Sequence, residues 1–131
     1  MNILLTGPSC AGKTSLAKQF NAKVTIELDM YTDVCSLPNQ HKPCKGQNET
    51  VVYEGIVCGS DRAVKDFIKS MDAVFIVTAN PIVRFLRCTY RDGYLGVPRW
   101  LFNELCWWRF CRPLVLQHEQ VRMLIWEPAE D

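Results

Sequence analysis

The chain of 131 residues carries 15 lysine and arginine residues against 14 aspartate and glutamate residues, which gives a formal net charge of +1. Hydrophobic residues make up 48% and charged residues 22%, a composition typical of a soluble domain, and the length suits a single domain over residues 1–131. The charge balance provides no global field that would favour nucleic acid or membranes, and no segment approaches the roughly 18 apolar residues of a membrane span. Because the first predicted strand occupies the N-terminus in place of a signal peptide, we expect a cytoplasmic protein.

The first predicted elements are a buried strand over residues 2–6 and a helix over residues 15–20, with a glycine-containing loop between them. The loop reads Gly7-Pro8-Ser9-Cys10-Ala11-Gly12-Lys13-Thr14 and matches the Walker A or P-loop pattern G-x-x-x-x-G-K-T at every position. Glycines without a Cβ let backbone amides converge on phosphate groups, while the lysine reaches the β- and γ-phosphates and the threonine hydroxyl binds Mg²⁺. We therefore predict that ATP binds along this loop and at Ser15, with Lys13 also acting in catalysis.

The rest of the chain alternates between predicted strands and helices. Strands are predicted over residues 24–28, 51–53, 73–78 and 121–126. Helices are predicted over residues 61–71, from Pro81 onwards, and from about Arg99 to near Pro113, and loops over residues 32–50 and 91–98. Such alternation predicts a parallel α/β sheet with right-handed crossovers.

Two acidic residues lie at the ends of predicted strands, Asp29 after the second and Glu54 after the third. The carboxyl ends of parallel strands meet at one edge of a sheet, beside the P-loop. A carboxylate there can orient an acceptor hydroxyl and accept its proton, or hold Mg²⁺. We predict the acceptor role, substrate-binding and catalytic, for Asp29, and a substrate-binding or metal role for Glu54 beside the metal ligand Thr14.

Three arginines on the predicted helix that begins at Pro81 are spaced three and four residues apart, at Arg84, Arg87 and Arg91. On one helix this spacing lines a single face. With the glycine-bearing loop that follows, the pattern predicts a small lid around residues 84–98 that brings guanidinium groups onto the γ-phosphate. We predict catalytic roles for Arg87 and Arg91, and the spacing leaves Arg84 open between a role in the site and a surface position.

Aromatic and aliphatic residues make the 99–112 helix apolar on nearly all sides. Core packing explains such a helix, and the alternatives are stacking on a base or a homodimer interface. Seven cysteines are scattered along the chain without a C-x-x-C pair, and we expect them to be free thiols.

The order of these features resembles the P-loop kinases, the nucleoside and nucleotide kinase-like group. The resemblance implies a three-layer α/β/α fold with a five-stranded parallel sheet in the order 2-3-1-4-5, and ATP with Mg²⁺ as the bound nucleotide. It also implies phosphate and metal roles for Lys13 and Thr14, the acceptor role for Asp29, and lid positions for Arg87 and Arg91.

Two subgroups of that family account for different parts of the sequence. Glu54-Gly55 is similar to the acid–glycine pair of nucleoside monophosphate kinases, which implies that Arg62 holds an acceptor phosphate. Asp29-Met30-Tyr31 resembles the Asp-x-Tyr of polynucleotide 5′-hydroxyl kinases, which implies a substrate contact by Tyr31, and the stretch over residues 87–98 resembles their lid. The acceptor is therefore open between a phosphate and a hydroxyl.

The sequence as a whole predicts an ATP-dependent kinase that transfers the γ-phosphoryl group to a nucleotide or nucleoside-type small acceptor. One alternative is a kinase for a polynucleotide 5′-hydroxyl or another small-molecule hydroxyl. The other alternative is a nucleotide-binding module without transfer activity that acts through a protein partner.

Overall fold

The computed structural model describes residues 1–31, 33–44, 46 and 48–125. Its strands are β1 (Asn2–Thr6), β2 (Val24–Glu27), β3 (Val51–Glu54), β4 (Ala73–Thr78) and β5 (Val121–Ile125). Its α-helices are α1 (Lys13–Ala17), α2 (Asp61–Lys69), α3 (Pro81–Asp92), α4 (Val97–Cys106) and α5 (Arg112–Val115), and a π-helical turn over Trp107–Cys111 joins α4 to α5. None of the helices in these described ranges is long and apolar enough to cross a membrane.

The five strands form one sheet in the order β2-β3-β1-β4-β5, and all four neighbouring pairs are parallel. The predicted strand order and the parallel α/β architecture are confirmed. Parallel pairing requires each connection to cross over a face of the sheet, so all five strands end at the same edge. That shared edge is where the candidate site lies.

Alternating side chains of the central strand divide the core between the two faces of the sheet. Leu4 belongs to a large cluster with α2, the π-helical turn and α5, whereas Ile3 and Leu5 belong to a smaller cluster with α1. This follows from the period of two along a strand. Both faces of β1 are covered, which explains why its sequence is continuously apolar from Ile3 to Leu5.

Helix boundaries differ from the predicted ones at three places. The first helix is shorter, ending at Ala17, and the predicted loop over residues 91–98 is mostly helical, because α3 runs to Asp92 and α4 begins at Val97. Gly93 separates these two helices with φ of 72°, a left-handed value that favours glycine. The helix predicted from about Arg99 does not end near Pro113, because this proline lies in the first turn of α5, which continues to Val115.

Two other segments bear on the predicted boundaries. Pro81 lies in the first turn of α3, as predicted, and the Asn80 side chain caps that helix by accepting from the Ile82 N–H at 2.8 Å. Residues 32–50 contain short 3₁₀ turns at Val34–Ser36 and Asn39–His41 in their described part. The predicted end of the last strand at Trp126 lies outside the described residues.

We predict that Trp107→Ala lowers the free energy of unfolding by about 3–5 kcal/mol, because a fully buried indole leaves a cavity. The adjacent Trp108 provides a matched control, since its side chain is half exposed and contacts Glu104 and Arg112 only at the surface. Trp108→Ala should cost less than about 1 kcal/mol. Urea titration followed by circular dichroism measures both values, and equal losses would contradict the assigned core.

Candidate active site

The loop between β1 and α1 combines three left-handed backbone positions, at Gly7 (φ 148°), Cys10 (φ 60°) and Gly12 (φ 101°). A Cβ on Gly7 would lie 2.1 Å from the carbonyl oxygen of Val77 in β4. No side chain fits there, so the loop lies directly against the central sheet. This is the tight turn that the Walker A glycine predicts.

Lys13 is buried at the start of α1 and folds back over the loop. Its ammonium group donates hydrogen bonds to the carbonyl oxygens of Gly7 at 2.8 Å and Pro8 at 2.9 Å. Burial lowers the pKa of Lys13 from its ordinary value, and the nearby Asp29 and Glu54 carboxylates partly offset that effect. The Lys13 amino group is therefore fixed inside the loop by these two hydrogen bonds, at the position where phosphate oxygens could replace the two carbonyls.

Glu54, the last residue of β3, accepts a hydrogen bond from the Thr14 hydroxyl at 2.9 Å. Its side chain is buried, and this burial raises the pKa of Glu54, whereas the Thr14 hydrogen bond and the Lys13 charge lower it. A hydroxyl and a carboxylate in direct contact offer the oxygen ligands that Mg²⁺ prefers. The donor chemistry of this pair therefore fits a magnesium ion.

Asp29 lies in a 3₁₀ turn, Leu28–Met30, directly after β2, and Gly55 follows β3. A Cβ on Gly55, whose φ is 133°, would come within 2.9 Å of a carboxylate oxygen of Asp29. The pairing of β2 with β3 aligns Glu27 with Glu54 and so brings the two strand ends together. The glycine after Glu54 thus leaves room for the Asp29 side chain.

A cavity of about 440 Å³ lies between the loop and these strand ends. Its wall includes Lys13, Thr14, Asp29, Glu54 and Arg91, which come from separate parts of the sequence. The volume is within the range of small-molecule sites. The predicted convergence of strand-end acids on the P-loop is therefore observed.

Helix α4 also lines the cavity, with Arg99, Trp100 and Asn103. These three residues were not predicted as site residues, because the apolar character of the 99–112 segment favoured core packing. Their spacing of three residues places Trp100 and Asn103 on one helix face, directly after the predicted lid. That spacing, together with an arginine at position 99, is the signal that could have identified them.

The three arginines of α3 have different environments. Arg84 is buried, forms an ion pair with Glu104, and donates from Nε to the Ala79 carbonyl oxygen at 3.1 Å. Arg87 donates to the carbonyl oxygen of Cys10 at 3.4 Å. Arg91 is exposed at the cavity rim, where its guanidinium group contacts Asp92 through two hydrogen bonds of 2.9 and 3.1 Å. Arg84 is thus a structural residue that joins α3 to α4, whereas Arg87 and Arg91 flank the loop and the cavity.

Two predicted substrate-binding residues lie outside this cavity. Tyr31 packs against the larger core cluster. Arg62 is exposed on α2 and lines a separate open groove with Lys42 and Asp66. The structure therefore does not bring Arg62 to the loop and the strand ends.

Cys10 and Cys88 form a disulfide across 78 positions of sequence, with their Cα atoms 5.9 Å apart. The expectation of free thiols throughout is wrong for these two residues. Sequence spacing could not reveal the pair, because only the crossover from β4 into α3 brings Cys88 beside the phosphate loop. Five described cysteines are free: Cys35, Cys44, Cys58, Cys106 and Cys111.

We predict that Glu54→Gln raises the melting temperature of the nucleotide-free protein at pH 7–8 and leaves it nearly unchanged at pH 4. A carboxyl whose folded pKa is raised binds its proton more tightly in the folded state, so its contribution to stability falls as pH rises through that pKa. Glutamine accepts the Thr14 hydrogen bond without carrying charge. Calorimetric scans between pH 4 and 8 measure the difference, with the exposed Glu119→Gln as control. If the Glu54→Gln variant is less stable than the wild type at pH 8, the raised pKa assigned to the buried Glu54 carboxyl is contradicted.

Among the comparisons with known proteins, only the comparison of structures found a similarity. No family model matches the sequence, and no curated protein matches it. The fold is similar to that of shikimate kinase from Bacteroides thetaiotaomicron, determined at 1.7 Å resolution, with a TM-score of 0.52 and 20% sequence identity. The match covers 92% of this chain and 84% of that chain. Together with the sheet order, it shows that this chain has the α/β fold of the P-loop kinases.

Proposed function

We propose that this protein is an ATP-dependent kinase that transfers the γ-phosphoryl group to a small acceptor. The observation that carries the proposal is the single cavity shared by the phosphate loop, two strand-end carboxylates and Arg91. Phosphoryl transfer requires positioning and charge stabilisation more than covalent help from the protein, and these groups have the chemistry for both. The shikimate kinase fold is consistent with a small-molecule acceptor.

In this proposal the triphosphate lies along residues 7–15, and the Lys13 ammonium group exchanges the Gly7 and Pro8 carbonyls for phosphate oxygens. Thr14 and Glu54 would hold Mg²⁺, which when bound neutralises charge on the phosphates. Arg91 would leave Asp92 to contact the transferred group. The main-chain hydrogen bonds that Lys13 makes without nucleotide keep its charge satisfied until a phosphate arrives.

Asp29 is proposed to orient the acceptor. An acceptor hydroxyl oxygen attacks the γ-phosphorus while the bond to the bridging oxygen of ADP breaks, and the hydroxyl proton passes to the Asp29 carboxylate. The exclusion of Arg62 from the cavity removes the group that was expected to hold an acceptor phosphate. The position of Arg62 favours a hydroxyl-bearing acceptor over a nucleoside monophosphate, and a polynucleotide 5′ end is one such hydroxyl.

A nucleotide-binding module acting through a protein partner is the second candidate, and one observation favours it. The segment from α4 into the π-helical turn buries Trp107 and Cys111, while five large apolar side chains stay exposed: Leu101, Phe102, Leu105, Trp108 and Phe110. Exposed apolar surface of this kind is typical of an interface. A partner or a homodimer at this face remains a prediction.

We predict that Lys13→Ala weakens ATP binding about 10- to 100-fold, because charge-assisted hydrogen bonds to phosphate contribute about 1.5–3 kcal/mol. Isothermal titration calorimetry with ATP and Mg²⁺ measures the affinity. Lys18→Ala is the matched control, since Lys18 is exposed at the end of the same helix. Unchanged affinity in the Lys13 variant would contradict nucleotide binding at this loop.

We predict that Asp29→Asn lowers the turnover of the reaction about 10²- to 10⁴-fold while ATP affinity is kept, because the variant cannot accept the acceptor proton. The acceptor is first identified with γ-labelled ATP and a panel of hydroxy acids, sugars, nucleosides, nucleoside monophosphates and oligonucleotides with a 5′-hydroxyl. Asp61→Asn, on the exposed first turn of α2, serves as control. No transfer to any acceptor would favour the binding module, and full turnover in the Asp29 variant would remove that residue from the mechanism.

A further inference from the structure

The Cys10–Cys88 disulfide joins the phosphate loop to the helix that carries the predicted lid arginines. Cys10 lies between Gly7 and Gly12 in the loop, and Cys88 lies in α3 between Arg87 and Arg91. Both cysteines line the cavity that contains the strand-end carboxylates. The bond therefore lies inside the candidate site rather than at a structural position elsewhere in the fold.

The bond fixes the part of α3 that carries the two arginines predicted to contact a phosphoryl group. The buried ion pair of Arg84 with Glu104 already holds the preceding turn against α4. With the disulfide closed, Arg87 contacts the carbonyl oxygen of Cys10 on the loop, and Arg91 contacts Asp92. Both guanidinium groups are thus engaged with the protein itself.

The segment after α3 has few restraints of its own. Tyr94 and Leu95 are 87% and 96% exposed, so they bury almost no apolar surface against the rest of the chain. Segments with so few buried contacts open and close at low free-energy cost. The covalent bond at Cys88 is therefore the strongest local restraint on the C-terminal half of α3.

We propose that Cys10 and Cys88 form a thiol–disulfide switch that regulates phosphoryl transfer, an inference that rests on the kinase function proposed above. When the bond is closed, α3 cannot shift over the phosphate loop and transfer is slow. When the bond is open, the C-terminal half of α3 closes over the nucleotide and places its arginines on the γ-phosphoryl group. The switch controls transfer more than nucleotide binding, since the loop is also fixed against β4 at Gly7, independently of the disulfide.

The chemistry is exchange with a small thiol of the glutathione class. A thiolate attacks the Cys10 sulfur, which is the more accessible of the two because Cys88 is buried, and the Cys88 thiolate leaves. A second thiolate then attacks the sulfur of the small thiol in this mixed disulfide, which forms the small-molecule disulfide and releases the Cys10 thiolate. In total two small thiols lose two electrons and two protons to form their own disulfide, and the protein gains two thiols. The reverse sequence with oxidised glutathione closes the bond.

The direct test compares the full-length protein after treatment with oxidised glutathione and after treatment with dithiothreitol, with the state of the bond verified by non-reducing peptide mass mapping. At saturating ATP, the reduced protein should transfer phosphoryl groups about tenfold faster, well within the roughly 10³-fold that a placed arginine contributes. ATP affinity should change less than turnover does. Equal rates in the two states, or a faster oxidised protein, would overturn the switch.

Two cysteine variants separate the bond from the other thiols. Cys88→Ser, verified by peptide mass mapping to carry no glutathione on Cys10, should transfer at the same rate after both treatments because the bond cannot close. Cys35→Ser is the matched control, because Cys35 is an exposed free cysteine outside the cavity, and this variant should keep the full redox response. A Cys88→Ser protein that still responds to oxidised glutathione, or a Cys35→Ser protein that no longer does, would overturn the assignment.

Hydrogen exchange gives a readout that does not depend on transfer. Backbone amides over residues 87–96 should exchange more slowly in the oxidised protein than in the reduced protein, and Cys88→Ser should match the reduced protein in both treatments. Equal exchange in the two states overturns the switch whatever the transfer assay shows. If the protein transfers phosphoryl groups at the same rate in both redox states, only the proposed switch is overturned. If it transfers none to any acceptor in either state, the proposed kinase function is overturned.

Discussion

The contact between the phosphate loop and strand β4 is the constraint on which the rest of the candidate site depends. A Cβ at Gly7 would lie 2.1 Å from the Val77 carbonyl oxygen, so the loop can leave β1 only through a residue without a side chain. This contact fixes the loop against the two central strands, which are covered on both faces. The position of Lys13 follows, because its ammonium group is bonded to the carbonyls of Gly7 and Pro8.

The Lys13 and Glu54 side chains at this sheet edge have pKa values shifted by burial. Lys13 is buried with a lowered pKa and Glu54 is buried with a raised pKa, and burial is the largest cause in both cases. Each charge partly compensates the other, and Asp29 supports the charge of Lys13 but opposes the charge of Glu54. A cluster of buried ionisable groups with opposed pKa shifts beside a cavity is the pattern expected of a functional site. A phosphate–magnesium ligand would supply the charges that complete it.

The fold, the phosphate loop and the two strand-end acids of the site could be predicted from the sequence. The loop followed from local patterns, namely the apolar run before Gly7, the fixed Walker A spacing and the acids at two strand ends, whereas the strand order was implied by the resemblance to the P-loop kinases. The environments of Arg84 and Cys88 could not be predicted, because both depend on how α3 packs after its crossover from β4. The i, i+3 and i, i+4 spacing of the α3 arginines was read as one face, yet Arg84 turns inward to Glu104 while Arg91 lies at the cavity rim. Helix spacing alone does not tell which neighbouring element a side chain meets.

We propose that this cavity binds ATP and that Lys13 exchanges its main-chain contacts for phosphate contacts. A crystal structure of the reduced protein with Mg²⁺ and a non-hydrolysable ATP analogue tests this exchange. We expect a triphosphate along residues 7–15, the Lys13 ammonium group moved from the Gly7 and Pro8 carbonyls to phosphate oxygens, and the γ-phosphate facing Asp29. A nucleotide bound elsewhere would contradict this exchange. The same holds if, at a saturating concentration of the analogue, no nucleotide lies along the loop and Lys13 is still bonded to both carbonyls.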